Sequence, residues 1–155
     1  MIPLIQATGN ASRGDDGFGP AVLERLRPLR PAADLQHVPA ATPEMVLEWQ
    51  GRSLVILLDA LQGPGKAGHL HLLDLRSGPA PAGAWPVTSH GFHPGTATEL
   101  AGSLGMLPDK LLLLGAIGAD FSRGAHLSPL LTACLDEAVP MILARLPPGP
   151  PGTEL

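Results

Sequence analysis

Four acidic or basic side chains stand where loops follow apolar runs, and their types fit metal or acid–base chemistry. Asp15 and Asp16 sit in the polar, glycine-rich stretch Gly9-Asn10-Ala11-Ser12-Arg13-Gly14-Asp15-Asp16-Gly17. Asp59 closes the apolar run Leu54-Val55-Ile56-Leu57-Leu58, and His90 stands within Thr88-Ser89-His90-Gly91-Phe92-His93. Two carboxylates and one imidazole drawn from separate loops would bind a borderline divalent metal such as nickel or zinc and leave coordination positions open. The same set supports hydrolysis by more than one route. A carboxylate can act as general base on water while a metal polarises a carbonyl, or two carboxylates can share a proton. These alternatives stand side by side, because residue types alone do not separate them. No serine, histidine and acid set is evident, and Cys134 falls on the apolar side of a helical pattern, so a covalent acyl-enzyme is not expected.

Each candidate has a plainer reading. Asp15 or Asp16 could simply favour the N-terminus of a following helix. Asp59 resists such a reading, since an acid ending a five-residue apolar run is costly to bury without a purpose. His69 and His71 share one strand face and are expected toward solvent, and His37, His93 and His126 have no obvious partner. The loop from Gly9 to Gly19 lacks a P-loop lysine and dinucleotide glycine spacing, and its adjacent acids would repel phosphate.

The elements that must position these residues follow from periodicity. Residues 3–8 and Leu54–Leu58 predict buried strands, the second central because it is apolar without alternation. Leu35–Pro39 predicts a weaker strand, His69–Leu73 one nearer an edge, and Leu111–Ile117 the last buried one. Helices are expected from Pro20, with Val22, Leu23, Leu26 and Leu29 inward; after Thr42-Pro43, with Met45, Val46 and Trp49 inward; and from Gly95, with Ala97, Leu100, Ala101 and Leu104 inward and Gly105 as its stop. A last helix opens at Ser128-Pro129 and buries Leu131, Cys134, Leu135, Ala138 and Ile142, with a kink expected at Pro140. Strands alternating with helices imply an α/β fold, a three-layer α/β/α sandwich with a mostly parallel twisted sheet. In such a sheet ligands gather outside the carboxyl ends of the strands, where Asp15, Asp16, Asp59 and His90 are expected.

With 155 residues, 45% of them hydrophobic and 15% charged, the chain suits one domain over 1–146, followed by a flexible Pro/Gly-rich tail over 147–155. A net charge of −4 offers no basic stripe for nucleic acid or anionic lipid. The N-terminus carries no signal-peptide pattern and no apolar run is long enough to span a bilayer, so a cytoplasmic protein is expected. The single cysteine allows no internal disulfide, which agrees with that location.

Taken in order, the loops resemble those of the hydrogenase maturation protease family. The segment Gly9-Asn10 and then Gly14-Asp15-Asp16-Gly17-Phe18-Gly19-Pro20 is similar to the family's first signature. Asp59-Ala60 with Gly63-Pro64-Gly65 resembles the second, and Ser89-His90-Gly91 the third. Leu104-Gly105-Met106-Leu107-Pro108, Leu114-Gly115-Ala116-Ile117-Gly118 and Leu127-Ser128-Pro129 continue the likeness, which covers nearly everything before the tail. The resemblance implies a phosphorylase/hydrolase-like sandwich and an endopeptidase. Its reaction would remove the C-terminal extension of a nickel-iron hydrogenase large-subunit precursor after nickel insertion. It further implies that Asp16, Asp59 and His90 are the catalytic and metal-contacting residues, with Asp16 standing where many members have glutamate. The metal is then the nickel of the substrate precursor, for which zinc or cadmium is expected to stand in within a crystal. The precursor is the implied partner and a monomer the expected state.

Two segments depart from that pattern. His37-Val38-Pro39-Ala40-Ala41-Thr42 lacks the acidic, glycine-containing turn of relatives, and Gly118-Ala119-Asp120 replaces a segment that often bears proline or glutamate. A non-cleaving nickel-checkpoint module that binds the precursor is the alternative function. A signalling receiver domain shares the acid placement, yet five residues separate Gly9 from Asp15 and no lysine follows the last strand.

Overall fold

The computed structural model describes residues 2–63, 65–81, 83–85 and 91–148. Five strands form one sheet: β1 Leu4–Thr8, β2 Asp34–Val38, β3 Leu54–Leu61, β4 Leu70–Asp74 and β5 Lys110–Ile117, in the order β2-β1-β3-β5-β4. All neighbouring pairs are parallel except β4 with β5, which is antiparallel. The uniformly apolar β3 therefore lies between two parallel neighbours, every residue of it buried, as an unalternated strand requires. The half-polar β2 and β4 take the edges.

Among the described residues three helices cover the sheet: α1 Phe18–Leu26, α2 Pro94–Leu104 and α3 Pro129–Leu143. Ile5, Ala7, Ile56, Leu58 and Leu114 point to one face, where Val22 and Leu26 of α1 pack with Leu131, Leu135 and Ile142 of α3. Leu4, Val55, Leu57, Leu111 and Leu113 point to the other, under a 3-10 helix at Pro43–Glu48 and α2. Met45, Val46 and Trp49 insert there. The α/β/α sandwich expected from the sequence is the observed architecture. Among the described residues no helix is long and apolar enough to cross a membrane.

Several boundaries differ from expectation. The strand carrying Asp59 does not stop at it: Asp59, Ala60 and Leu61 pair with Gly115, Ala116 and Ile117, so β5 draws β3 out by three residues. Helix α1 begins at Phe18, with Pro20 inside its first turn. Leu29 is 54% exposed, because the chain tightens into a 3-10 turn over Arg27–Leu29 before Arg30 adopts the left-handed conformation. Leu104 is also exposed, and the buried residues of α2 are Pro94, Ala97 and Ala101, the two alanines sharing a core cluster with Met45 and Val46 of the 3-10 helix. Gly105 ends α2 in the left-handed region, as its position predicts.

Candidate functional site

The strand order reverses direction between β1 and β3: the chain leaves β1 for β2 on one side and returns to β3 on the other. At such a switch point the loops at the carboxyl ends diverge and leave a crevice. A cleft of about 210 Å³ opens there, walled by Thr8 and Gly9 from β1, Asp16 from the following loop, and Asp59 from β3. Pro39 to Ala41 close one side, and Trp85 with Gly91 to Pro94 close another.

The glycine-rich loop is shaped by backbone contacts that exclude side chains. Gly9 has φ +134°, and a Cβ on it would lie 2.0 Å from the carbonyl oxygen of Asp16. The loop therefore folds back on its own start, where the Asn10 N–H donates to Asp16 Oδ2 at 2.7 Å. His37, at the end of β2, donates from Nε2 to the Gly9 carbonyl at 2.8 Å, a partner that sequence reading did not foresee. Gly14, at φ +58°, would place a Cβ 2.2 Å from the Asp120 carbonyl, so this loop and the one after β5 are in backbone contact.

The two adjacent aspartates are used differently. Asp15 is fully buried and faces away from the cleft, accepting hydrogen bonds from Ala119 N–H at 2.6 Å, Asp120 N–H at 3.0 Å, Ser128 N–H at 2.7 Å and the Ser128 hydroxyl at 3.0 Å. Burial acts to raise its pKa, but the bonds from Ser128, Ala119 and Asp120 together outweigh it and hold the carboxyl below its ordinary value. Ser128 thus spends its hydroxyl on Asp15 instead of capping α3. Asp16 is half-buried and lines the cleft.

Asp59 points to the α2 side of the sheet, where its strand neighbour is Gly115. Its Oδ1 accepts from the Ala60 N–H at 2.9 Å and its Oδ2 from the indole N–H of Trp85 at 3.0 Å. Burial pushes the carboxyl up to about 7, and the charge of Asp16 adds to the rise, while Trp85, Thr8 and Ala60 act against it. An acid of the loop after β1 and an acid of β3 therefore share one cleft, and the first acts on the second.

Trp85 lies flat on His93, with ring centroids 4.5 Å apart and planes inclined by 13°. His93 is the N-cap of α2: its Nδ1 accepts from the Gly95 N–H at 3.0 Å and the Thr96 N–H at 3.4 Å, while Thr96 Oγ1 accepts from the His93 N–H at 2.7 Å. With Nδ1 occupied as an acceptor, the neutral ring carries its proton on Nε2. Burial lowers the imidazole pKa and favours that neutral form, against the pull of Glu99. The Trp85–His93 pair lines both the acidic cleft and a second cavity of about 560 Å³, whose other walls include Gly78 to Pro81, Gly83, Ala84 and α2.

Of the three residues singled out from sequence, Asp16 and Asp59 meet in the cleft, and His90 lies outside the described residues. Among the described residues no three histidine, cysteine, aspartate or glutamate side chains are grouped to hold a metal ion. Trp85 and His93 are site residues that sequence reasoning missed. The available signal was the composition, because the chain has two tryptophans and no tyrosine, which makes a tryptophan in a Pro/Gly-rich loop unusual. Cys134 is buried against Leu131 with its thiol pushed up to about 11, chiefly by burial, as expected of an inert side chain.

No protein-family model matches the chain, and no curated protein matches its sequence. Solved structures do. The hydrogenase 2 maturation peptidase from Thaumarchaeota archaeon SCGC_AB-539-E09 is 25% identical and superposes with a TM-score of 0.68, covering 93% of this chain and 97% of its own. The hydrogenase maturating endopeptidase HybD from E. coli is 21% identical with a TM-score of 0.74, over 93% of this chain and 91% of its own. The NiFe hydrogenase maturation protease HycI from Thermococcus kodakarensis KOD1 is 23% identical with a TM-score of 0.67, over 92% and 90%. At their lower identities the last two speak for the fold alone.

Proposed function

We infer that this chain is a hydrogenase maturation peptidase, and we propose that it removes the C-terminal extension of a nickel-iron hydrogenase large-subunit precursor once nickel has been inserted. The observation that carries the reading is the meeting of Asp16 and Asp59 in one cleft at the sheet's switch point. The loop resemblance and the likeness to the archaeal peptidase over nearly the whole of both chains support it. The nickel is cargo of the precursor. Asp16 and Asp59 offer it oxygen donors and His90 a nitrogen donor, a mixed set suited to a borderline divalent ion. Two mutually repelling carboxylates, one of them desolvated, also favour the arrival of a cation. Cleavage is thereby coupled to loading, since an empty precursor would bring no cation to balance these acids.

The chain's own groups suffice to describe the hydrolytic step. A water attacks the scissile carbonyl, the C–N bond breaks, and the leaving amine takes a proton. One of the two carboxylates that share the cleft accepts the water's proton and returns it to the amine, while the other stays with the cation. The enzyme is proposed to act as a cytoplasmic monomer.

The test is to mix the protein with nickel-loaded precursor and follow the precursor's mass. Release of a C-terminal peptide is expected, and it excludes a module that inspects nickel without cutting. Asp16→Asn and His90→Ala should each retain the far-UV circular dichroism of the parent while leaving the precursor at full mass. Normal processing by both would remove the basis for these assignments.

A further inference from the structure

We propose that Trp85 and His93 act as a positioning pair that fixes the Asp59 carboxylate for the reaction, an inference that rests on the peptidase reading above. The contacts form one chain running from helix to acid. The first turn of α2 locks His93 through reciprocal bonds with Gly95 and Thr96. His93 then supports the face of Trp85, and the Trp85 indole N–H reaches Asp59 Oδ2. Gly95 leaves room for the stack, since a Cβ there would lie 2.8 Å from His93 Cε1 and 3.2 Å from Trp85 Cζ3. From the other side, the Gln62 N–H donates to the Ala84 carbonyl at 2.7 Å and ties the residue before Trp85 to the end of β3.

This arrangement leaves Asp59 little freedom to turn. Its Oδ1 is held by its own strand and its Oδ2 by an indole that is itself clamped, so both oxygens have fixed directions. An imidazole serves here where Asn, Ser or Asp would cap a helix as well. What the imidazole adds is a flat surface for the indole. A residue that only capped α2 would have no need of a ring, and a tryptophan that only filled space would have no need to direct its N–H at an acid.

The inference separates two variants. Trp85→Phe keeps the flat ring and removes the donor, and His93→Asn keeps the cap and removes the ring. Each should lower kcat for cleavage of the nickel-loaded precursor about tenfold or more, the order of effect for losing or loosening one hydrogen bond to a charged group, with KM nearly unchanged. A readout independent of cleavage is the indole ¹H–¹⁵N signal. The chain has two tryptophans, so Trp85→Phe assigns the pair of signals. The Trp85 signal should shift and exchange faster with solvent in His93→Asn and in Asp59→Asn. An unperturbed Trp85 signal and parental kcat in His93→Asn, with α2 intact, would reduce His93 to a cap and overturn the proposal. A parent protein that leaves the loaded precursor uncut would instead overturn the peptidase reading, while the indole signal still reports on the pair.

Discussion

A carboxylate that accepts four hydrogen bonds inside the fold and one that is buried beside another acid stand at opposite ends of the same physics. Asp15 is the first kind, so its folded pKa is depressed. The stability it contributes is complete above the unfolded value of 3.8 and is lost as pH falls through the lower folded one. Asp59 is the second kind. Between 3.8 and about 7 the folded protein retains a proton there that the unfolded chain has released, so stability declines as pH rises through that window and the full penalty stands above it. Taking about 1.4 kcal/mol per tenfold, the ceiling on that penalty is on the order of 4 kcal/mol. Asp59→Asn should therefore unfold at a higher temperature than the parent at pH 8, with an advantage that shrinks steadily toward pH 4. Thermal melts across that range check it, and a constant offset at every pH would contradict the assignment. The same variant is expected to lose cleavage, which would make Asp59 a residue kept for chemistry at the expense of stability. Residue types marked Asp59 as out of place beside an apolar run but did not divide Asp15 from Asp16, and it was the family resemblance that selected Asp16. Only the fold shows which of the two turns inward, because the donors that hold Asp15 lie more than a hundred residues away.

At the level of elements, the legible features were those written in local pattern. The unalternated β3, the helix stop at Gly105, the inward Val22, Leu23 and Leu26 of α1 and the inward face of α3 follow from spacing and residue type. The extension of β3 through Asp59 was not legible, since it is imposed by pairing with β5. Nor was the role of His93, which depends on where the 83–85 segment places Trp85. Gly19 shows how an element's placement reaches the site. It lies in the first turn of α1, where a Cβ would come within 2.7 Å of the Thr8 carbonyl oxygen and 2.9 Å of that of Leu58. Both are backbone atoms of the strands that carry the cleft, so they cannot swing aside, and α1 itself would have to retreat. Gly19→Ala should cost about 1–3 kcal/mol by overpacking. Because Asp16 lies two residues before the start of α1, cleavage should fall by more than the folded fraction does. Denaturant unfolding and specific activity measured on the same preparation check this, and a loss of activity that merely tracks unfolding would place the effect in stability alone.

Across the whole molecule, the cleft is assembled from both sides of the β1–β3 switch point, with walls contributed by the turn after β2 and the entry to α2. Asp59 is carried by the central strand β3 and Asp16 by the loop after β1, while Pro39 and Ala40 lie exposed on the rim. This division predicts that chemistry and substrate choice can be altered separately. The turn is also where the chain departs from the acidic, glycine-containing pattern of the family it resembles, so the rim is the natural place for preference among precursors to reside. Ala40→Trp would place a bulky ring at the mouth of a cleft of about 210 Å³ without disturbing a core contact. Stability should stay within about 0.5 kcal/mol of the parent, as for exposed positions generally. The KM for the loaded precursor should rise about tenfold, equivalent to roughly 1.4 kcal/mol of binding lost equally from ground and transition states, with kcat retained. Steady-state cleavage kinetics with a thermal melt of the same sample decide the matter. A fall in kcat at unchanged KM would mean that the rim takes part in aligning the scissile bond.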